Sequence, residues 1–185
     1  LAAYGVTMPE SMLSTDTSVD SIVAMADRID YPVAVKTTVR RVGRSARAGV
    51  ALDLADADAV RDAVDVMRSA LGYDANAFIV QAMAMPGVDA RIRCTTDERL
   101  GPVVTVGMGS LQSDGLADGA SRLAPVSEAG AARLIEETAL RAAFERAGID
   151  PAPLRDAIRR VAQLVLEHPE ITSIDINPAI VSQSG

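Results

Sequence analysis

Aromatic residues make up only 3% of this 185-residue chain and tryptophan is absent, so the core has to be built from Ala, Val, Ile, Leu and Met. One cysteine, Cys94, excludes an internal disulfide framework. Cations are in deficit, 18 Lys plus Arg against 25 Asp plus Glu, for a net charge of −7. That balance argues against a general nucleic-acid binder. No apolar run approaches the roughly 18 uninterrupted residues of a membrane helix. No charged-then-apolar leader opens the chain. Leu1 to Gly5 instead reads as the tail of a helix, so the chain is expected to be part of a longer cytoplasmic protein, with neither a membrane nor a nucleic acid as partner. What is present is a 49% apolar fraction, enough for a full core. The length fits one large domain or two small lobes.

Thr17 followed by Asp20 resembles a capping box, with an acid in place of the usual Glu or Gln. Ile22, Val23, Ala26 and Ile29 follow at helical spacing. Tyr31-Pro32 ends that helix, because proline disfavours helical geometry in the residue before it. Val33 to Thr37 reads as a strand with Lys36 near its end. Next come four arginines, Arg40, Arg41, Arg44 and Arg47, interleaved with Gly43, Ser45 and Gly49. Two readings stay open here, a solvated loop and a phosphate-facing flap. The flap draws on the planar guanidinium fork, which donates two bonds at once to phosphate oxygens.

Gly49 to Leu54 reads as a strand pairing back on the first. Asp56 caps a helix running to Leu71, with Val60, Val64, Met67 and Leu71 on one face and Gly72 just past its end. Ala77 to Gln81 is a strand, and Met83 to Pro86 a hinge. Val88 to Thr95 places Asp89, Arg91 and Arg93 on one face and Ala90, Ile92 and Cys94 on the other, as in a strand with one wet face. Cys94 falls on the apolar side and reads as a core thiol.

Gly101-Pro102 signals a turn, and Val103 to Val106 a buried strand that stops at Gly107-Met108-Gly109-Ser110. Such an ending leaves amides bare and lets a bulky anion approach a backbone without Cβ atoms. With Asp114, Asp118 and Arg122 behind it, this stretch is a candidate polyphosphate and metal site; a strand followed by a plain surface loop is the other reading. Ser127 caps a helix into Ala142, with a break placed before Gly148. Asp150-Pro151 starts another, with Pro151 at its first position. Leu154, Ile158, Val161 and Val165 give it an apolar face. His168, the one histidine, stands at its end, in solvent near the last carbonyls. Asp175 and Asn177 lie two apart on a closing strand and so face the same way. A carboxylate and an amide oxygen on one face can hold Mg²⁺; a hydrogen-bonded strand end is the alternative.

Taken in order, LAAYGV, YPVAVK, GVALDL, FIVQAM, GVDARI, LGPVVTVGMGS, SRLAPVS and EITSIDINPAIV make the chain resemble an ATP-grasp domain. It is similar to the β-subunit-type domain of nucleoside-diphosphate-forming acyl-CoA synthetases, relatives of succinyl-CoA synthetase. The resemblance implies an α+β fold of two lobes, residues 1–80 and 81–185, with a nucleotide cleft between them. It implies ATP or ADP with Mg²⁺ as cofactors. Lys36 would contact the phosphates, and backbone groups of Gln81, Ala82 and Met83 the adenine. Asp89, where the family usually has glutamate, would lie near the ribose. Gly107 and Gly109 would line the phosphates, and Asp175 and Asn177 would hold the metal.

Active members pass phosphate through phosphohistidine intermediates, with a CoA-binding module present. Where the family's loop usually carries His-Lys-Ser-Asp, this chain has Gly43-Arg44-Ser45-Ala46-Arg47-Ala48-Gly49. Neither arginine nor glycine can carry phosphate as histidine does. No catalytic residue is therefore assigned. The resemblance points to a nucleotide-binding, catalytically degenerate, regulatory module of a larger protein, beside CoA-binding and acetyltransferase domains. An active acyl-CoA synthetase domain and a non-binding scaffold are the alternatives.

Overall fold

Apolar residues at every second position build two separate antiparallel sheets, each backed by helices. The computed structural model describes residues 1–14, 16, 18–38, 49–72, 75–109 and 118–183. They form two units, one spanning Pro9–Ala84 and the other joining Leu1–Met8 to Met85–Gly185.

In the first unit, strands β1 (Ser11–Ser14), β2 (Val33–Thr37), β3 (Val50–Leu54) and β4 (Phe78–Ala82) form a sheet of order β1-β4-β2-β3. All three pairings are antiparallel, including the expected return of β3 onto β2. Helices α1 (Val19–Ile29) and α2 (Ala57–Leu71) supply the other half of the core. Ile22, Ala26, Val60, Val64 and Met67 pack with Val33, Val35, Phe78 and Val80. Enclosing a side chain such as Phe78, from which water is fully excluded, contributes about 2–3 kcal/mol. Strand alternation sends Ala34, Lys36, Ile79 and Gln81 to the opposite face.

The cap of α1 is Ser18, whose hydroxyl accepts the Ser21 amide at 3.3 Å; the expected Thr17 lies outside the described residues. Asp56 caps α2 as the sequence predicts, accepting the Ala59 amide at 2.9 Å. Strand β1 carries no sequence signal of its own. Its Ser-Met-Leu-Ser is too short and too polar to read as a strand, and it forms because β4 offers an edge.

In the second unit, β5 (Val88–Asp97), β6 (Gly101–Met108), β7 (Ala120–Leu123) and β8 (Ser173–Val181) form a sheet of order β7-β6-β5-β8. The predicted two-faced strand is observed: Ala90, Ile92 and Cys94 are enclosed, and Asp89, Arg91 and Arg93 lie on the other face. Helices α3 (Glu128–Glu136), α4 (Leu140–Ala147) and α5 (Ala152–Glu167) cover the apolar face through Leu134, Leu140, Phe144, Leu154, Ile158, Val161 and Val165. The single helix expected from Ser127 to Ala142 is two. It breaks after Glu136, where the Thr138 hydroxyl donates to the Ile135 carbonyl at 3.0 Å, and Asp118 accepts the Ala139 amide at 2.9 Å as α4 begins. Pro151 stands at the cap of α5 rather than inside it, with Asp150 accepting the Ala152 amide at 2.9 Å.

The first eight residues differ from the expected 1–80 lobe by packing with the second unit. Ala2–Tyr4 form a 3₁₀ turn closed by Gly5, whose φ of 72° suits glycine. The Tyr4 hydroxyl donates to Glu167, and Arg160 Nη1 donates to the Tyr4 carbonyl at 2.8 Å.

Candidate functional site

The first unit places Lys36 at the second-last position of β2, on the face away from α1 and α2. Its amino group is half-buried and donates to the Gln81 side-chain carbonyl, which comes from β4 next door. Among the described residues no carboxylate lies within ion-pair distance of Lys36. Burial without a counter-charge pushes its pKa below the ordinary lysine value. A desolvated cation held by a neutral amide is a seat for an anion supplied from elsewhere.

The expected adenine hinge starts later than Gln81. Gln81 and Ala82 belong to β4, and only Met83 lies beyond the strand. The Ala82 amide donates to the Glu10 carbonyl at 2.9 Å and the Met83 amide to the Pro32 carbonyl at 3.2 Å. Both N–H groups are thus used by the unit's own backbone. The arginines Arg40, Arg41, Arg44 and Arg47 lie outside the described residues, as do Ser110 and Asp114.

In the second unit the glycine stretch is more ordered than a bare turn. Strand β6 continues through Gly107 to Met108, past the expected stop at Val106. Gly107 pairs with Arg91, and a Cβ there would lie 3.3 Å from the Asp118 carbonyl oxygen. Gly109 donates its amide to the Asp89 carbonyl at 2.9 Å, and a Cβ there would lie 2.5 Å from the Ala90 carbonyl oxygen. Close approach of neighbouring backbone therefore already requires glycine at 109. Of the side chains expected behind this stretch, Asp118 caps α4, and Arg122 pairs with Glu137 and donates to the Ser121 carbonyl at 2.8 Å. Asp89 has no cation within ion-pair distance among the described residues, and desolvation raises its pKa above the usual carboxylate value.

Asp175 does share the wet face of the sheet, opposite Arg93 in the ladder. The register slips by one residue between Ile176 and Ala179, the stretch that holds Asn177 and Pro178. The Asp175 carboxylate is held by Arg91, with Nε donating to Oδ1 at 2.8 Å and Nη2 to Oδ2 at 2.5 Å. The Arg91 side chain is 13% exposed and that of Asp175 30%. Sequence reasoning put Arg91 on the wet face but missed this pairing, because the two residues are 84 positions apart and nothing local announces that β5 and β8 are neighbours.

The oxygens of Asp175 and Asn177 are of the hard type that Mg²⁺ prefers, but the carboxylate is committed to a cation of the chain's own. At about 4 Å and an effective dielectric near 20, two like unit charges repel by about 4 kcal/mol, and a divalent ion doubles this. That repulsion offsets what one carboxylate offers a metal. Among the described residues no three His, Cys, Asp or Glu side chains gather as a metal set. As placed, the pair does not fit Mg²⁺.

His168 ends α5, with Nδ1 3.1 Å from Glu170 and its ring edge-on to Tyr4 at 5.9 Å between centroids. Cys94 is enclosed, as expected, and burial raises its pKa.

Two antiparallel sheets with helices define an α+β protein, and the family model of the ATP-grasp domain matches residues 1–185. The chain belongs to the ATP-grasp domain family. Among curated proteins it is 29% identical over 195 residues to the 4-hydroxybutyrate–CoA ligase [ADP-forming] of Nitrosopumilus maritimus, covering 100% of this chain and 28% of that protein. It is 29% identical over 188 residues to the acetate–CoA ligase [ADP-forming] I subunit beta of Pyrococcus furiosus, covering 96% of this chain and 80% of the subunit. Among solved structures it superposes with a TM-score of 0.83 and 26% identity on the dinucleotide forming acetyl-coenzyme A synthetase 1 of Ca. Korarchaeum cryptofilum, in complex with coenzyme A, Ca-AMPCP and HgCl⁺. That match covers 100% of this chain and 84% of the other. The chain thus spans little more than a quarter of the full-length ligase and most of the beta subunit. Among the described residues no helix is long and apolar enough to cross a membrane.

Proposed function

We propose that this chain is the nucleotide-binding domain of a larger acyl-CoA-related protein, binding ATP or ADP without carrying the phosphoryl group itself. The observation that carries this is Lys36: a half-buried amino group with an amide partner and, among the described residues, no carboxylate, on the face of its sheet away from α1 and α2. A phosphate oxygen supplies the missing anion and recovers part of the cost of burying the charge. Asp89, an exposed carboxylate with its pKa raised and no cation within ion-pair distance among the described residues, is assigned to the ribose hydroxyls on resemblance to the family. On resemblance to the family, Gln81, Ala82 and Met83 are assigned to the adenine edge and Gly107 and Gly109 to the phosphates, with the Ala82, Met83 and Gly109 amides left out of that role because the chain's own carbonyls accept them.

Catalytic degeneracy rests on the one histidine. His168 is engaged with Glu170 at the end of α5, and the stretch from Gly43 to Gly49 holds none. The domain then serves as a sensor within the longer protein, beside CoA-binding or acetyltransferase modules. The nucleotide biases such a neighbour only by binding one of its states more tightly.

Titration calorimetry of ATP and ADP into the chain, beside Lys36→Ala, tests this reading. Micromolar binding that the variant loses supports it. Absence of binding at millimolar nucleotide overturns it in favour of a scaffold. Release of ADP or phosphate by the full-length protein, only when CoA and a carboxylic acid are both present, would instead establish an active synthetase.

A further inference from the structure

The Arg91–Asp175 pair has the geometry of an internal substitute for a metal ion, and we propose that nucleotide binding by this chain does not depend on magnesium. The inference rests on the nucleotide reading above and names the form in which the nucleotide is taken, as the free polyphosphate rather than its metal complex.

Both carboxylate oxygens of Asp175 accept N–H groups of one guanidinium, at 2.8 Å and 2.5 Å. A bidentate fork of this kind fixes both partners in orientation as well as in charge. Arginine keeps its proton at every pH a protein survives, so the pair is not lost as pH rises. The Arg91 side of the pair, 13% exposed, is screened by salt less than a fully exposed charge.

The surroundings point the same way. Arg93 is the ladder partner of Asp175 on the same face, so a second arginine flanks the carboxylate. On that face β5 and β8 carry the acids Asp89, Asp97 and Asp175 and the bases Arg91 and Arg93; Asp97, at the far end of β5, accepts the Arg99 and Leu100 amides, so beside Asp175 itself stand the two arginines. Divalent-cation sites are built from an excess of carboxylate oxygens. Here the positive charge that neutralises Asp175 is already covalently part of β5, and the carboxylate has little left to offer a metal.

The test is calorimetry of ADP and ATP into the wild-type chain, once with Mg²⁺ and once with EDTA, joined by electron paramagnetic resonance of Mn²⁺ added to the protein alone. The expected result is a Kd that changes by less than about twofold between the two buffers, with Mn²⁺ left in its free aquo form. Arg91→Met removes the guanidinium fork from Asp175, and the variant's Kd is expected to become about tenfold tighter with Mg²⁺ than with EDTA. Should that variant fail to fold, the wild-type measurements decide alone. A wild-type Kd at least about tenfold tighter with Mg²⁺ overturns the inference and leaves the nucleotide reading standing. Mn²⁺ bound by the wild-type protein and released by Asp175→Asn overturns it as well, whether or not nucleotide binds. No nucleotide binding in either buffer overturns the nucleotide reading, and this inference with it.

Discussion

Lys36 on β2 reaches diagonally across the sheet to Gln81 on β4, so that a half-buried ammonium is met by an amide oxygen and, among the described residues, not by a carboxylate. Neutral partners satisfy the donor without cancelling the charge. The folded state therefore holds the Lys36 proton less tightly than the unfolded chain, whose lysine titrates near 10.5. Stability must then rise as pH climbs from the lowered folded value toward 10.5, and be smaller below that window. Lys36→Met is expected to abolish this rise in urea denaturation curves while leaving the neutral-pH midpoint no lower than wild type. Gln81→Ala strips the ammonium of its acceptor and is expected to cost about 1–2 kcal/mol at neutral pH.

Asp89 gives the opposite slope. Desolvation raises its folded pKa above the ordinary 3.8. The folded state keeps the proton to higher pH, so this group's contribution is fully present below 3.8 and is lost as pH rises through the raised value. Asp89→Asn is expected to gain stability relative to wild type across that window and to hold the gain to neutral pH. Thermal melts of both proteins at a series of pH values check it; identical profiles would remove the desolvated carboxylate from the account.

Both departures from the sequence reading at the glycine stretch and the closing strand have one cause. Local pattern shows which residues share a face, and it placed Cys94 on the enclosed side and Asp89 on the wet side of β5. It does not show which strands lie side by side. Asp175 looked available because its neighbour in the ladder comes from β5, far away in sequence, and Gly109 looked bare because its amide partner is the Asp89 carbonyl. Strand β7 was missed for a related reason: it is four residues long and half-exposed, and takes its shape from pairing with β6. The helix break at Thr138 escaped because neither glycine nor proline marks it.

Gly109→Ala probes the close approach of β5 and the end of β6. The added Cβ would lie 2.5 Å from the Ala90 carbonyl oxygen, which is backbone and cannot swing away. A loss of about 1–3 kcal/mol is expected from chemical denaturation, as for other overpacked sites. If the variant kept wild-type stability but lost nucleotide affinity, the glycine would owe its place to the ligand instead.

Asp118→Ala removes the side chain that accepts the Ala139 amide at the start of α4. The expected cost is about 1 kcal/mol, the ordinary worth of a helix cap, with nucleotide affinity unchanged. A fall in affinity at constant stability would return Asp118 to the binding site.

Cys94 is enclosed on the apolar side of β5, and its raised pKa keeps it protonated at neutral pH. An aromatic disulfide reagent is expected to react with less than one equivalent of native protein over minutes and with one full equivalent in denaturant. Prompt native reaction would mean that the helices over this sheet open readily.

The second unit is written in the sequence as two pieces, Leu1–Met8 and Met85–Gly185, with the first unit held between them. Chain enters and leaves the inner unit along adjacent strands, with the Glu10 carbonyl accepting the Ala82 amide at 2.9 Å. As the polypeptide leaves the ribosome, the inner unit is complete while most of its host is still unsynthesised. The anchoring of Tyr4 by Arg160 and Glu167 must wait until α5 has emerged. Lys36 is therefore set in place early, and the Arg91–Asp175 bond is among the last to close.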